Sequence, residues 1–107
     1  MIVHFAAFIF KQEFKAEEPQ KEAREKITEA LSKINVPGRL GVLKTSTPLY
    51  PEKAKGHDFA LIVRFEDEDA LKRYAVDPEH KKAQEVIKRY ANLEDTLDYD
   101  LTINGEW

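Results

Sequence analysis

The sequence predicts an α+β domain of the split βαβ, or ferredoxin-like, type: a βαββαβ chain whose four antiparallel strands carry their helices on one face. Three observations lead there. Four stretches read as strands, others repeat apolar residues at helical spacing, and the order is strand, helix, strand, strand, helix pair, strand. The 107 residues carry no internal repeat, low-complexity tract or Gly/Ser linker, so 1–107 is read as one domain.

Ile2 to Lys11 is β-branched and aromatic without Gly or Pro, which favours a strand. Val3, Phe5, Ala7 and Ile9 fall on one face and His4, Ala6, Phe8 and Phe10 on the other. A strand apolar on both sides belongs in the middle of its sheet. Over residues 17–35, Ala23, Ile27, Ala30, Leu31 and Ile34 form a helical stripe opposite a charged, solvated face, and Pro37-Gly38 ends the pattern. Leu40 to Thr47 reads as a strand and 48–56 as a turn-rich loop.

Phe59, Leu61, Val63 and Phe65 alternate with Ala60, Ile62 and Arg64, a third strand. Asp67 is placed to cap a short helix bearing Ala70, Leu71, Tyr74 and Ala75. Asp77-Pro78 restarts the pattern as cap and first helical residue, and Ala83, Val86, Ile87, Tyr90 and Ala91 make the next stripe. Leu97, Tyr99, Leu101 and Ile103 then alternate with Thr96, Asp98, Asp100 and Thr102, which predicts a half-buried strand.

A four-stranded sheet with helices on one side leaves its other face bare. With His4, Ala6, Phe8 and Phe10 or their neighbours on that face, it is too apolar to meet water. A homodimer packed sheet against sheet is therefore expected. The length agrees, because a chain this short buries only about two thirds of its unfolded surface.

Composition excludes several classes. Seventeen Lys and Arg against twenty Asp and Glu give a net charge of −3, which argues against a nucleic-acid partner. No apolar run approaches the roughly 18 residues that span a bilayer. The apolar start lacks the charged region and small-residue cleavage site of a secretory signal. With no cysteine there is no disulfide or thiolate chemistry, and a cytoplasmic setting is expected. The three histidines, His4, His57 and His80, are far apart, so no metal site is expected. Four scattered glycines form no phosphate loop and there is no Gly-x-Ser-x-Gly elbow, so no cofactor is expected either.

Two histidines sit at apolar positions. His80 lies three residues before Ala83 and seven before Ile87, on the buried side of the last helix near its N-terminus. Burial and the helix dipole there lower an imidazole's pKa, and a neutral imidazole can be a general base near pH 7. The alternative is a histidine hydrogen-bonded in the core. His4, in the most apolar strand, must find a backbone partner or line a cavity. Tyr74, three residues before Asp77-Pro78, brings a hydroxyl near His80, or is an amphipathic core tyrosine. His57, beside Gly56, is expected to be exposed, and the role of Trp107 is open. Phe59, Leu61, Ala83 and Ile27 are the candidate lining of a small helix-to-sheet pocket, with Ala23 and Ala30 beside them.

Three stretches together resemble the stress-responsive dimeric α/β-barrel family. They are Met1-Ile-Val-His4 with the alternating Phe/Ile up to Lys11, then Gly56-His-Asp-Phe-Ala-Leu-Ile-Val-Arg-Phe-Glu66 with Ala70-Leu71 and Tyr74, and Asp77-Pro78-Glu79-His80. The last is similar to the family's His-Pro-x-His signature. The resemblance implies two ferredoxin-like subunits joined into a barrel. It also implies, from plant members that close polyketide chains by a cofactor-free aldol reaction, a pocket for a small hydrophobic carbonyl compound. On that pattern His80 matches the general base, Tyr74 the tyrosine that orients or polarises the substrate, and His4 a first-strand pocket histidine. Phe59 stands where such members have another pocket histidine, and Asp77 where the signature begins with histidine. The resemblance equally covers members that are stress-induced, non-catalytic or ligand-binding dimers.

Overall fold

The computed structural model describes residues 1–105; Trp107 lies outside the described residues. Strands β1 (Ile2–Phe8), β2 (Arg39–Ser46), β3 (Phe59–Phe65) and β4 (Leu97–Thr102) form one sheet in the order β2-β3-β1-β4. The pairings are all antiparallel, with β1 between β3 and β4 as its two apolar faces require. Helices α1 (Glu17–Ser32), α2 (Glu68–Val76) and α3 (Pro78–Tyr90) complete a ferredoxin-like fold.

Cross-strand partners share a face of a sheet, so the register assigns the sides. His4, Ala6 and Phe8 pair with Val63, Leu61 and Phe59, and all of them face the helices. Phe8, Phe10, Phe59, Leu61, Val63 and Phe65 are buried there with Ala23, Ile27, Leu31, Ala83 and Ile87. The bare face therefore belongs to the neighbours: Val3, Phe5 and Ala7 with Ala60, Ile62, Leu97, Tyr99 and Leu101. His4 does not lie on it.

Two boundaries and one burial pattern differ from the expectation. β1 stops at Phe8, because Phe10 leaves β3 to bridge Ala91 while Asp58 Oδ2 accepts its N–H at 2.9 Å. α1 stops at Ser32, and Ile34 is buried from the following turn, where Arg39 Nη1 donates to its carbonyl at 2.7 Å. β4 is exposed along its length rather than half-buried, since its apolar residues point away from the helices at the sheet edge.

The stop after α1 is also steric. Gly38 has φ +92°, and a Cβ there would lie 2.6 Å from Ala70 Cβ at the start of α2. Gly105 has φ +88° with nothing within 4 Å. Gly38→Ala is therefore expected to lose about 2–4 kcal/mol, from the left-handed backbone and the overpacking together. Gly105→Ala should lose no more than about 1–2 kcal/mol. Urea unfolding of both variants checks this, and equal losses would contradict the close approach at Gly38.

Candidate functional site

The junction between α2 and α3 builds the site. The Asp77 N–H donates to the Tyr74 carbonyl at 3.3 Å, closing α2, while its side chain accepts from the Glu79 N–H at 2.8 Å, opening α3. Pro78 occupies the first turn of α3, where its missing N–H costs nothing. One residue thus ends the helix that carries Tyr74 and starts the helix that carries His80. Their ring centroids stand 5.0 Å apart at 65°, edge to face. Tyr74 also meets Phe65 at 5.1 Å and His4 at 5.9 Å.

These rings form part of the wall of a cavity of about 500 Å³ between α2, α3 and the β1–β4 edge of the sheet. Its polar wall includes His4, Tyr74, His80, Thr96, Asp98 and Asp100, with Lys72 and Gln84. The apolar wall includes Ala6, Phe8, Leu61, Leu71, Ile87 and Leu93. Of the two expectations for His4 the structure shows the second: it lines the cavity, and its Nδ1 is held not by the backbone but by Asp100 Oδ1 at 2.5 Å.

Burial pushes the His80 pKa below its ordinary 6.5; the nearby His4 charge pushes the same way, and Asp98 and Asp77 oppose both. Nδ1 of His80 and Oγ1 of Thr96 are buried with no hydrogen-bond partner among the described residues. Tyr74 is only 2% exposed, and burial carries its hydroxyl up to about 12, with Arg39 lowering it and Asp98 raising it. At neutral pH Tyr74 is therefore a donor.

The structure brings His4, Tyr74 and His80 to one cavity, with Leu61 on its wall. It does not bring Ile27, Ala83 or Phe59 there. Ile27 and Ala83 are fully buried on α1 and α3, which pack against each other, and small Ala83 lets the helices close rather than opening room between them. Phe59 is buried and stacked on Phe10 at 6.2 Å. His57 is half-buried rather than exposed, its Nδ1 donating to the Ala54 carbonyl at 2.8 Å across a turn.

Thr96, Asp98 and Asp100 were not singled out from the sequence. Their alternation with Leu97, Tyr99 and Leu101 reads as an outward polar side until the apolar side is assigned to the bare face. Among the described residues no group of three or more His, Asp or Glu side chains is arranged to hold a metal ion. Nor is any helix long and apolar enough to cross a membrane.

The model of the stress responsive A/B barrel domain family matches residues 2–102. No curated protein sequence matches the chain. Among solved structures the chain is similar to a Dabb family protein with a ferredoxin-like fold from Mesorhizobium loti. The TM-score is 0.73, with 20% identity over 97% of each chain. It is also similar to a dimeric ferredoxin-like protein of unknown function from Thermobifida fusca, with TM-score 0.73 and 22% identity over 95% of this chain and 90% of that one. A third is a hydroxynitrile lyase from Passiflora edulis, with TM-score 0.72 and 16% identity over 99% of this chain and 95% of that one. At these identities the likeness is one of fold.

The two shifted groups give opposite pH limits to stability. A neutral His80 is favoured by folding, so its contribution is complete above about pH 6.5 and is lost as pH falls through its lowered folded pKa. Tyr74 contributes below pH 10, and that contribution is lost between 10 and about 12. An NMR titration of the ring Cε1–H signals should place the His80 midpoint below 6.5, and the absorbance of the phenolate should place Tyr74 near 12. A His80 midpoint above 6.5 would contradict its burial.

Proposed function

The chain belongs to the stress-responsive A/B barrel domain family, and on that footing we propose that it is a homodimer, packed sheet to sheet, that performs cofactor-free proton transfer on a small hydrophobic carbonyl compound. The observation that carries the chemistry is the edge-to-face pair of His80 and Tyr74, 5.0 Å apart on the wall of one cavity.

In this reading His80, neutral at pH 7, takes a proton from the carbon next to the substrate carbonyl. The electron pair moves onto the carbonyl oxygen, where the Tyr74 hydroxyl donates a hydrogen bond to the developing enolate. His4 flanks Tyr74 and orients the same end of the substrate. The enolate carbon then bonds to a second carbonyl carbon, and the proton held on His80 goes to the new alkoxide. Run backwards, the same steps cleave the bond, as a lyase does. No electrons leave the substrate, so no redox partner is needed. The apolar wall keeps the intermediate dry.

The dimer rests on the exposed apolar set of the bare face, with Tyr99 57%, Leu97 45% and Leu101 39% exposed. The similar protein from Thermobifida fusca is described as dimeric. A hollow of about 490 Å³ on this face, floored by Phe5, Ala7, Ala60 and Ile62, is covered when a second copy packs there. A non-catalytic, ligand-binding dimer is the second reading, favoured by the deep burial of Tyr74.

Two experiments test these claims. Sedimentation of the wild-type chain should give the mass of a dimer, and Tyr99→Asp should shift it toward monomer; a wild-type monomer at micromolar concentration would refute the sheet packing. With 4-methylacetophenone in D₂O, NMR should follow protein-catalysed exchange of the acetyl protons. His80→Ala should slow it by about 100-fold, and Tyr74→Phe by about tenfold. Binding without exchange would favour the non-catalytic dimer.

A further inference from the structure

The polar wall of the cavity is acidic in a way that the proton-transfer reading does not use. β4 lies at the sheet edge with Ala6 opposite Asp98 and His4 opposite Asp100, so both carboxylates stand on the helix side. Both line the cavity. Asp100 accepts from His4 Nδ1. Asp98 acts electrostatically on both Tyr74 and His80. The lysine on the lining is Lys72, whose ammonium is 3.3 Å from Glu68 Oε2 on the exposed outer side of α2. The Arg39 charge acts on Tyr74, but its Nη1 is committed to the Ile34 carbonyl and the residue does not line the cavity.

We infer that this cavity admits uncharged or cationic carbonyl compounds and rejects carboxylates and phosphate esters. The inference rests on the reading of the same cavity as a carbonyl site and names its substrate class. An anionic group entering here meets two carboxylates of β4 on the lining, and because that strand is exposed their repulsion is open to screening by salt. An anion finds no cation on the lining that is free of a carboxylate partner. An ammonium group has Asp98 to meet it.

Three ketones of one shape separate the possibilities: 4-methylacetophenone, 4-(aminomethyl)acetophenone and 4-acetylbenzoate. Their binding to the full chain is read at pH 7.5 from the NMR shifts of the His4 and His80 ring protons. The carboxylate should bind at least about tenfold more weakly than the uncharged ketone, and the ammonium as tightly or more so. The gap should close to about threefold or less in Asp98→Asn/Asp100→Asn. It should also shrink for the wild type in 0.5 M NaCl, where the Debye length is below about 8 Å, a measurement that does not depend on the variant folding.

Equal binding of 4-acetylbenzoate and 4-methylacetophenone, or a gap that survives both the substitution and the salt, overturns the inference. Charge-blind binding with intact acetyl-proton exchange overturns the charge selection alone. No shift of either histidine by any of the three ketones, together with no exchange, overturns the carbonyl-site reading along with it.

Discussion

β4 is held against β1 with Ala6 opposite Asp98 and His4 opposite Asp100, and this register decides both surfaces of the sheet. The period of a strand is two, so one choice of register sends Leu97, Tyr99 and Leu101 to the bare face and Asp98 and Asp100 to the cavity. A slip by one residue would reverse the arrangement. The cavity would lose its carboxylates and gain a greasy wall, while the bare face would become acidic. The apolar bare face and the acidic wall of the cavity are thus two consequences of one alignment.

The other fixed point is Asp77. As the residue that both closes α2 and caps α3, it holds Tyr74 and His80 at the two sides of a turn with no slack. Its carboxylate contributes to the electrostatics of His80 too, opposing the effect of burial. A histidine at this position, as in the motif that the chain resembles, would bring a second imidazole instead of a carboxylate. The substitution is compatible with the fold because aspartate is among the best residues for a helix N-cap.

Much of the fold was legible because its signals are local. Alternation in Phe59–Phe65, the stripe Ala23, Ile27 and Leu31, and the caps Asp67 and Asp77 each depend on a few neighbouring residues. The cluster of His4, Tyr74 and His80 was legible for a similar reason, since two members flank one helix junction and the third is the single polar residue of an apolar strand. The lining was legible only in part. Small residues at Ala83 and Ala23 fit either a pocket or a tight helix contact, and only packing distinguishes the two. The fastening of Phe10 and Lys15 to Asp58 joins residues more than forty positions apart, and no local pattern announces it. Asp98 and Asp100 escape a sequence reading because the alternation of β4 separates a polar from an apolar face without saying which of them turns to the helices.

Fold and activity separate cleanly here. A protein of 16% identity with nearly the same chain trace is a hydroxynitrile lyase, but a shared architecture does not by itself select a reaction. What selects it is the handful of side chains that the junction and the β4 register aim at one cavity. Phe59 illustrates the point. It stands where the resemblance would have another pocket histidine, yet it is packed on Phe10 in the core and its loss of a polar group leaves no hole. The carboxylates of the cavity come from β4, on the other side of β1 from Phe59. His4, Tyr74 and His80 share the cavity wall with carboxylates at 98 and 100, while Phe59 serves the core and Asp77 the helix cap. The fold brings these side chains together, and the residues around them set the charge that the cavity offers.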